Sequence, residues 1–137
     1  MAGTTVFALL VHDRPHPLES LKAELRNCSV ETWSVKSLDD TARLLDQTLP
    51  ELVFTDTQLV EGTWSDVVSL AEKAGAPANV IVVGSSADAK AYAKVMQGGT
   101  FDYLFPPFAG YSLALCMMPA AEDVRLRRHA QALRAVA

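Results

Sequence analysis

Two pieces of the chain decide how it is read: Asn79-Val-Ile-Val-Val-Gly-Ser-Ser-Ala-Asp88 and Gly99-Thr-Phe-Asp-Tyr-Leu-Phe-Pro-Pro-Phe108. Val80 to Val83 is apolar throughout and stops at Gly84 and Ser85, while Phe101 to Phe105 stops at Pro106 and Pro107. Short apolar runs bounded by Gly, Ser and Pro are strand signals. Working outward, Val6 to Val11, Val30 to Val35 and Leu52 to Thr55 repeat the pattern. The first, third and fourth runs are nearly all apolar, as strands covered on both faces of a parallel sheet are, whereas Val30 to Val35 alternates with polar residues like an edge strand.

The intervening segments carry helical spacing, as in Leu18, Leu21, Leu25 and in Leu38, Ala42, Leu45, Leu49. Ser37 with Asp40, Thr63 with Asp66 and Ser85 with Asp88 match the capping box that opens a helix. Strand and helix therefore alternate five times. This implies right-handed crossovers and an α/β, doubly wound parallel sheet with helices on both faces. The ligand site of such a sheet lies beyond the carboxyl ends of its strands.

Bulk properties bound the answer. At 137 residues the chain is one domain in size, half apolar and one-fifth charged, as folded globular proteins are. A net charge of -4 argues against wrapping nucleic acid with the whole domain. Cys28 and Cys116 form no CxxC pair and no disulfide framework. Neither a signal-peptide pattern nor a membrane-length apolar run is present, so a cytoplasmic protein is expected.

The residues that follow the inner strands are His12 and Asp13, then Asp56, then Gly84 and Ser85, then Phe105, Pro106 and Pro107. An aspartate after a strand is ordinarily a turn or cap residue. Two converging there repel each other, and the relief is a divalent cation or a raised pKa.

Over about residues 5 to 118 this arrangement resembles the receiver domains of two-component response regulators. The two pieces quoted first resemble, without gaps, the receiver stretch ending "AGAxDYLxKPF", and Leu-Val-Phe-Thr-Asp56-Thr-Gln-Leu-Val-Glu-Gly62 resembles the phosphoacceptor strand and loop. The resemblance implies a five-stranded sheet in the flavodoxin-like order 2-1-3-4-5. It further implies a non-enzymatic module that takes phosphate on Asp56 from a histidine kinase or phosphotransfer protein. Mg²⁺ would be held by Asp13, Asp56 and the Gln58 backbone carbonyl. Switching would pass through the Gly84–Ser85 position and Tyr103 to an output domain, a partner protein or a second copy, and the bond to Pro107 would be cis.

The chain departs from the pattern in three places. His12 replaces the first acid of the metal pair and is a poor Mg²⁺ ligand. Pro106 stands where the phosphoryl-pairing lysine belongs, a loss of about 1.5 to 3 kcal/mol to the phosphorylated state, and no neighbouring residue is identified that restores it. Gly84 replaces the switch hydroxyl, which Ser85 supplies only if the loop shifts. These losses make a phosphorylation-independent docking or dimerisation module the alternative function. A nucleotide binder or hydrolase lacks support, because no GxGxxG, P-loop or GxSxG is present.

Two local readings stay open. His12 either pairs with a neighbouring acid, with a raised pKa, or bonds neutrally to the backbone. Trp64 either approaches the site or anchors the first turn of the third helix. Beyond residue 118, Pro119 is expected to kink the last helix or start a second one, so residues 119–137 form an extension that is either a connector or a solvated basic tail.

Overall fold

The computed structural model describes residues 5–136. Seven strands and five helices follow in order: β1 (Val6–Val11), α1 (Leu18–Asn27), β2 (Val30–Val35), α2 (Leu38–Thr48), β3 (Leu52–Asp56), β4 (Gln58–Leu59), β5 (Gly62–Thr63), α3 (Trp64–Lys73), β6 (Asn79–Val83), α4 (Ala89–Gln97), β7 (Asp102–Leu104) and α5 (Gly110–Val136). The main sheet is parallel in the order β2-β1-β3-β6-β7, the expected doubly wound arrangement with β2 at an edge. The short β4–β5 hairpin, absent from the sequence reading, closes the loop after Asp56.

Period-two alternation divides the sheet between two cores. Ala8, Leu10, Leu52, Phe54, Ile81 and Val83 pack with α1 and α5 on one face. Leu9, Val11, Val53 and Val80 pack with α2 and α3 on the other. A third cluster joins Val82, Val95 of α4 and Tyr103 beside the cleft.

The helix starts follow local chemistry. Ser37 caps α2 by accepting from the Asp40 amide (3.1 Å), and Thr63 and Asp66 form the capping box of α3. Ser85 does not cap α4: Asp88 does, accepting from the Lys90 and Ala91 amides, so the helix begins after the expected box instead of inside it. Trp64 is half-buried against the cores under α3 and α4, and a side chain at Gly98 would overlap its ring. It serves as a helix anchor and also borders the cleft, so both expectations for it hold.

Helix α5 runs unbroken through Pro119, and the expected boundary at residue 118 falls inside it. Pro119 is exposed, as is Leu115, whose carbonyl loses its helical donor there. Leu113, Cys116, Met117, Ala120 and Val124 are buried along the inner side. Past Val124 three arginines, Arg125, Arg127 and Arg128, hold to the domain. Arg125 pairs with Glu51, Arg127 donates to Asn79 Oδ1 (2.7 Å), and Arg128 donates to the carbonyls of Leu49, Pro50 and Pro77. For residues 125–128 a freely solvated stretch is thereby corrected: Arg128 satisfies loop carbonyls at the amino ends of β3 and β6, and Arg125 and Arg127 hold side chains there, while residues 131–136 are exposed. No helix among the described residues is long and apolar enough to cross a membrane.

Candidate functional site

At the carboxyl edge of the sheet β1, β3, β6 and β7 deliver their end residues to one cleft, as the sheet register requires. Asp56 ends β3 and is 1% exposed. A buried carboxylate needs donors, and its own loop supplies two. The Thr57 amide donates to Oδ1 at 2.7 Å and the Thr57 hydroxyl reaches it at 3.4 Å.

The remaining demand is met by a residue that the sequence reading passed over. Arg14, in the loop after β1, places Nη2 3.0 Å from both Asp56 oxygens and Nε 3.2 Å from Oδ2. This is the forked geometry in which a guanidinium clamps a carboxylate. The Arg14 side chain is 53% exposed, so the pair closes the cleft from the solvent side. Arg14 thus brings to Asp56, from the loop opposite Pro106, a cation that the sequence reading did not identify. The signal was present, because Arg14 is the one lysine or arginine in the loops that follow β1, β3, β6 and β7.

His12 is buried and bonds to the backbone, with Nδ1 2.7 Å from the Arg14 carbonyl oxygen. That contact makes Nδ1 the protonated nitrogen and pins the loop that presents Arg14. Nε2 is buried without a hydrogen-bond partner. The pairing of His12 with an acid is therefore not formed; the backbone contact is. Asp13, the second half of the expected metal pair, is part-buried beside it.

This donor set does not fit Mg²⁺. Among the described residues no group of three or more His, Cys, Asp or Glu side chains is placed to hold a metal ion. Both Asp56 oxygens already face a guanidinium, and His12 turns its protonated nitrogen to a carbonyl. A hard cation that prefers six oxygen ligands would have to displace Arg14 to reach Asp56. Gln58, whose backbone carbonyl the resemblance assigns to the ion, is an exposed residue of the β4–β5 hairpin.

The other half of the cleft is apolar. Gly84, buried at the end of β6, donates its amide to the Leu104 carbonyl (2.8 Å). Tyr103 is turned inward, 6% exposed, and its hydroxyl donates to the Ser86 carbonyl at 3.2 Å. A side chain at Gly84 would overlap the Tyr103 hydroxyl and come within 2.6 Å of Cζ. Glycine at this position is thus what gives the ring its room. Tyr103 stacks edge-on against Tyr92 (6.2 Å between ring centres) and tilts against Phe105. Burial, and secondarily the Asp88 carboxylate, raise its phenol above the ordinary tyrosine value. Ser85 is exposed, Pro106 brings no donor, and the Pro106–Pro107 bond is cis. A cleft of about 280 Å³ lined by Thr57, Trp64, Gly84, Ser85, Lys94 and Tyr103 opens on this side, with Thr57 as its neighbour to Asp56.

No family model matches the sequence, and no curated protein matches it either. Solved structures do. The signal receiver domain of a Luxo repressor protein from Vibrio parahaemolyticus is 19% identical over 90% of this chain and 95% of that one, with a TM-score of 0.74. A response regulator from Chloroflexus aurantiacus is 18% identical over 87% and 99%, with a TM-score of 0.77. A response regulator receiver domain protein from Clostridium thermocellum is 19% identical over 88% and 98%, at 0.73. With strand order and element order agreeing as well, the chain has the fold of the response-regulator receiver domains.

Proposed function

We propose that the chain is a non-catalytic signalling module of receiver fold that works without phosphoryl transfer at Asp56. It would dock its partner, whether an output domain or another protein, through the face formed by α4, β7 and α5. The observation that carries this reading is the two-pronged Arg14–Asp56 pair, which neutralises the buried carboxylate and takes up the direction from which a metal and phosphoryl group would approach. The space left by Gly84 supports it, since Tyr103 is already inside and needs no event at Asp56 to draw it there. The direct test is incubation with Mg²⁺ and acetyl phosphate or beryllofluoride, followed by intact mass and Trp64 fluorescence. No adduct and no fluorescence change are expected, and a stoichiometric phosphoryl adduct on Asp56 would overturn the proposal.

A second reading has one observation in its favour. Asp56 keeps its place at the end of the central strand, and Arg14 is half exposed and free to swing outward. A histidine kinase would then phosphorylate Asp56, with Arg14 pairing with the phosphoryl oxygens in place of the missing lysine. Under that reading the same incubation gives an adduct in the parent chain that Arg14→Ala loses.

A further inference from the structure

We propose that two copies of this chain pair antiparallel along the outer side of α5, with the two-fold axis beside Leu126. The observations are confined to α5 and do not rest on the function proposed above.

Across the helix from its buried stripe, α5 carries a second one. Leu115, Met118, Leu126, Leu133 and Val136 are each between 57 and 81% exposed. With the exposed Glu122 and His129 they follow in steps of three or four residues from Leu115 to Val136. At about 100° per residue all seven fall within an arc of about 80°, on the side of the helix facing away from Leu113, Met117, Ala120 and Val124. An exposed stripe of five apolar residues with only two polar members between them marks an interaction surface.

The two polar members of the stripe identify its occupant. Among the described residues Glu122 and His129 have no ion-pair partner, and the nearby Arg125 is engaged by Glu51 of its own chain. A parallel partner copy would set Glu122 against Glu122 and His129 against His129. An antiparallel copy sets Glu122 against His129 twice. The same register sets Met118 against Leu133 and Leu115 against Val136, and all three pairs share one midpoint, beside Leu126. Each apolar residue then meets an apolar residue, and each acid meets an imidazole. The contact runs about 32 Å along the helices.

The test is sedimentation velocity on the 137-residue chain from low to high micromolar concentration, where a reversible monomer–dimer equilibrium is expected. Leu126→Asp, which places two carboxylates at the axis of an exposed stripe, should weaken it about tenfold or more with unchanged far-ultraviolet circular dichroism. Glu122→Lys and His129→Glu should each weaken it about threefold and, combined, restore the parent affinity. In a Cys28→Ser background, cysteines at 122 and 129 together should cross-link under oxidation and a cysteine at 122 alone should not. A chain that stays monomeric at the highest concentration, a double charge swap no better than its singles, or cross-linking through position 122 alone would each overturn the proposal.

Discussion

The two halves of the cleft at the carboxyl edge solve the same problem in opposite ways. On the β1–β3 side the buried charge of Asp56 is kept and answered by Arg14 and Thr57. On the β6–β7 side hydroxyl and cation are absent at residues 84 and 106, and the space is filled by the Tyr103 ring packed on Tyr92 and Phe105. A site that needs an exchangeable cation and a mobile hydroxyl leaves room for both. Here the cation is tethered and the room is occupied, so the two halves are complementary ways of holding one fixed arrangement.

The largest effect is expected where the apolar half has no slack. Gly84→Thr sets a branched side chain against the Tyr103 ring and hydroxyl, which belong to a packed cluster with Val82 and Val95. Overpacking of that kind costs about 1 to 3 kcal/mol. Urea denaturation should show the loss. The same substitution in a Tyr103→Ala background should cost much less, because the two sites share one volume. Equal costs in both backgrounds would mean that Gly84 is not what admits the ring.

The polar half is expected to break more gently. Arg14→Ala leaves the Asp56 carboxylate buried with only its Thr57 donors, a loss of about 1 to 3 kcal/mol for an under-satisfied buried group. Solvent entering along the half-exposed path of the lost side chain places the value toward the lower end. The diagnostic is the double-mutant cycle with Asp56→Asn. Once the carboxylate is neutral, removing Arg14 should cost almost nothing, giving a coupling of about 1 kcal/mol or more. Additive losses would show that the pair does not act as one unit. Arg14→Ala should also be the variant in which Mg²⁺ first perturbs Trp64 fluorescence, since it frees Asp56 Oδ2 and leaves Oδ1 with its Thr57 donors alone.

The unequal visibility of the two halves in the sequence has a physical origin. The sheet was legible because each strand's environment is written in its own alternation: β1, β3 and β6 read as buried on both faces, β2 as an edge, and Asp56 and Gly84 followed from where β3 and β6 end, while Tyr103 was named through the family resemblance. Arg14 was not read as part of the site, because a guanidinium's reach spans several ångströms and nothing local says which carboxylate it will find. The start of α4 was misplaced for a related reason. Ser85 and Asp88 both have capping chemistry, and which one caps is decided by where the chain leaves β6. The inward turn of Tyr103 was open in the sequence, and the absent side chain at residue 84, read only as a lost hydroxyl, was also the room for a ring. Likewise the arginines after Val124 read as a charge order along a helix, while Arg128 finds its partners in carbonyls of loops some 50 to 80 residues earlier.

The smallest effect is a pH dependence that belongs to the β7 side. Burial, with Asp102 adding through its charge and a hydrogen bond, pushes the Cys116 thiol from an ordinary 9.0 up to about 12. Tyr103 is raised above 10.0 by burial and then by Asp88. Below about pH 8, a unit under the ordinary thiol value of 9.0, both groups are protonated whether the chain is folded or not, and stability does not depend on them. As pH rises past the unfolded-state values, the unfolded chain releases protons that the folded chain retains, so stability falls until the folded-state values are passed. The slope is at most about 1.4 kcal/mol per pH unit for each group. Urea midpoints measured from about pH 8 to about pH 10.5 should therefore decline. The decline should be shallower in Cys116→Ala, which removes one of the two groups at a roughly constant packing cost. Arg14→Ala, which alters only the opposite half, should lower the whole curve without changing that slope. If Arg14→Ala flattened it instead, the two halves of the cleft would have to titrate as one.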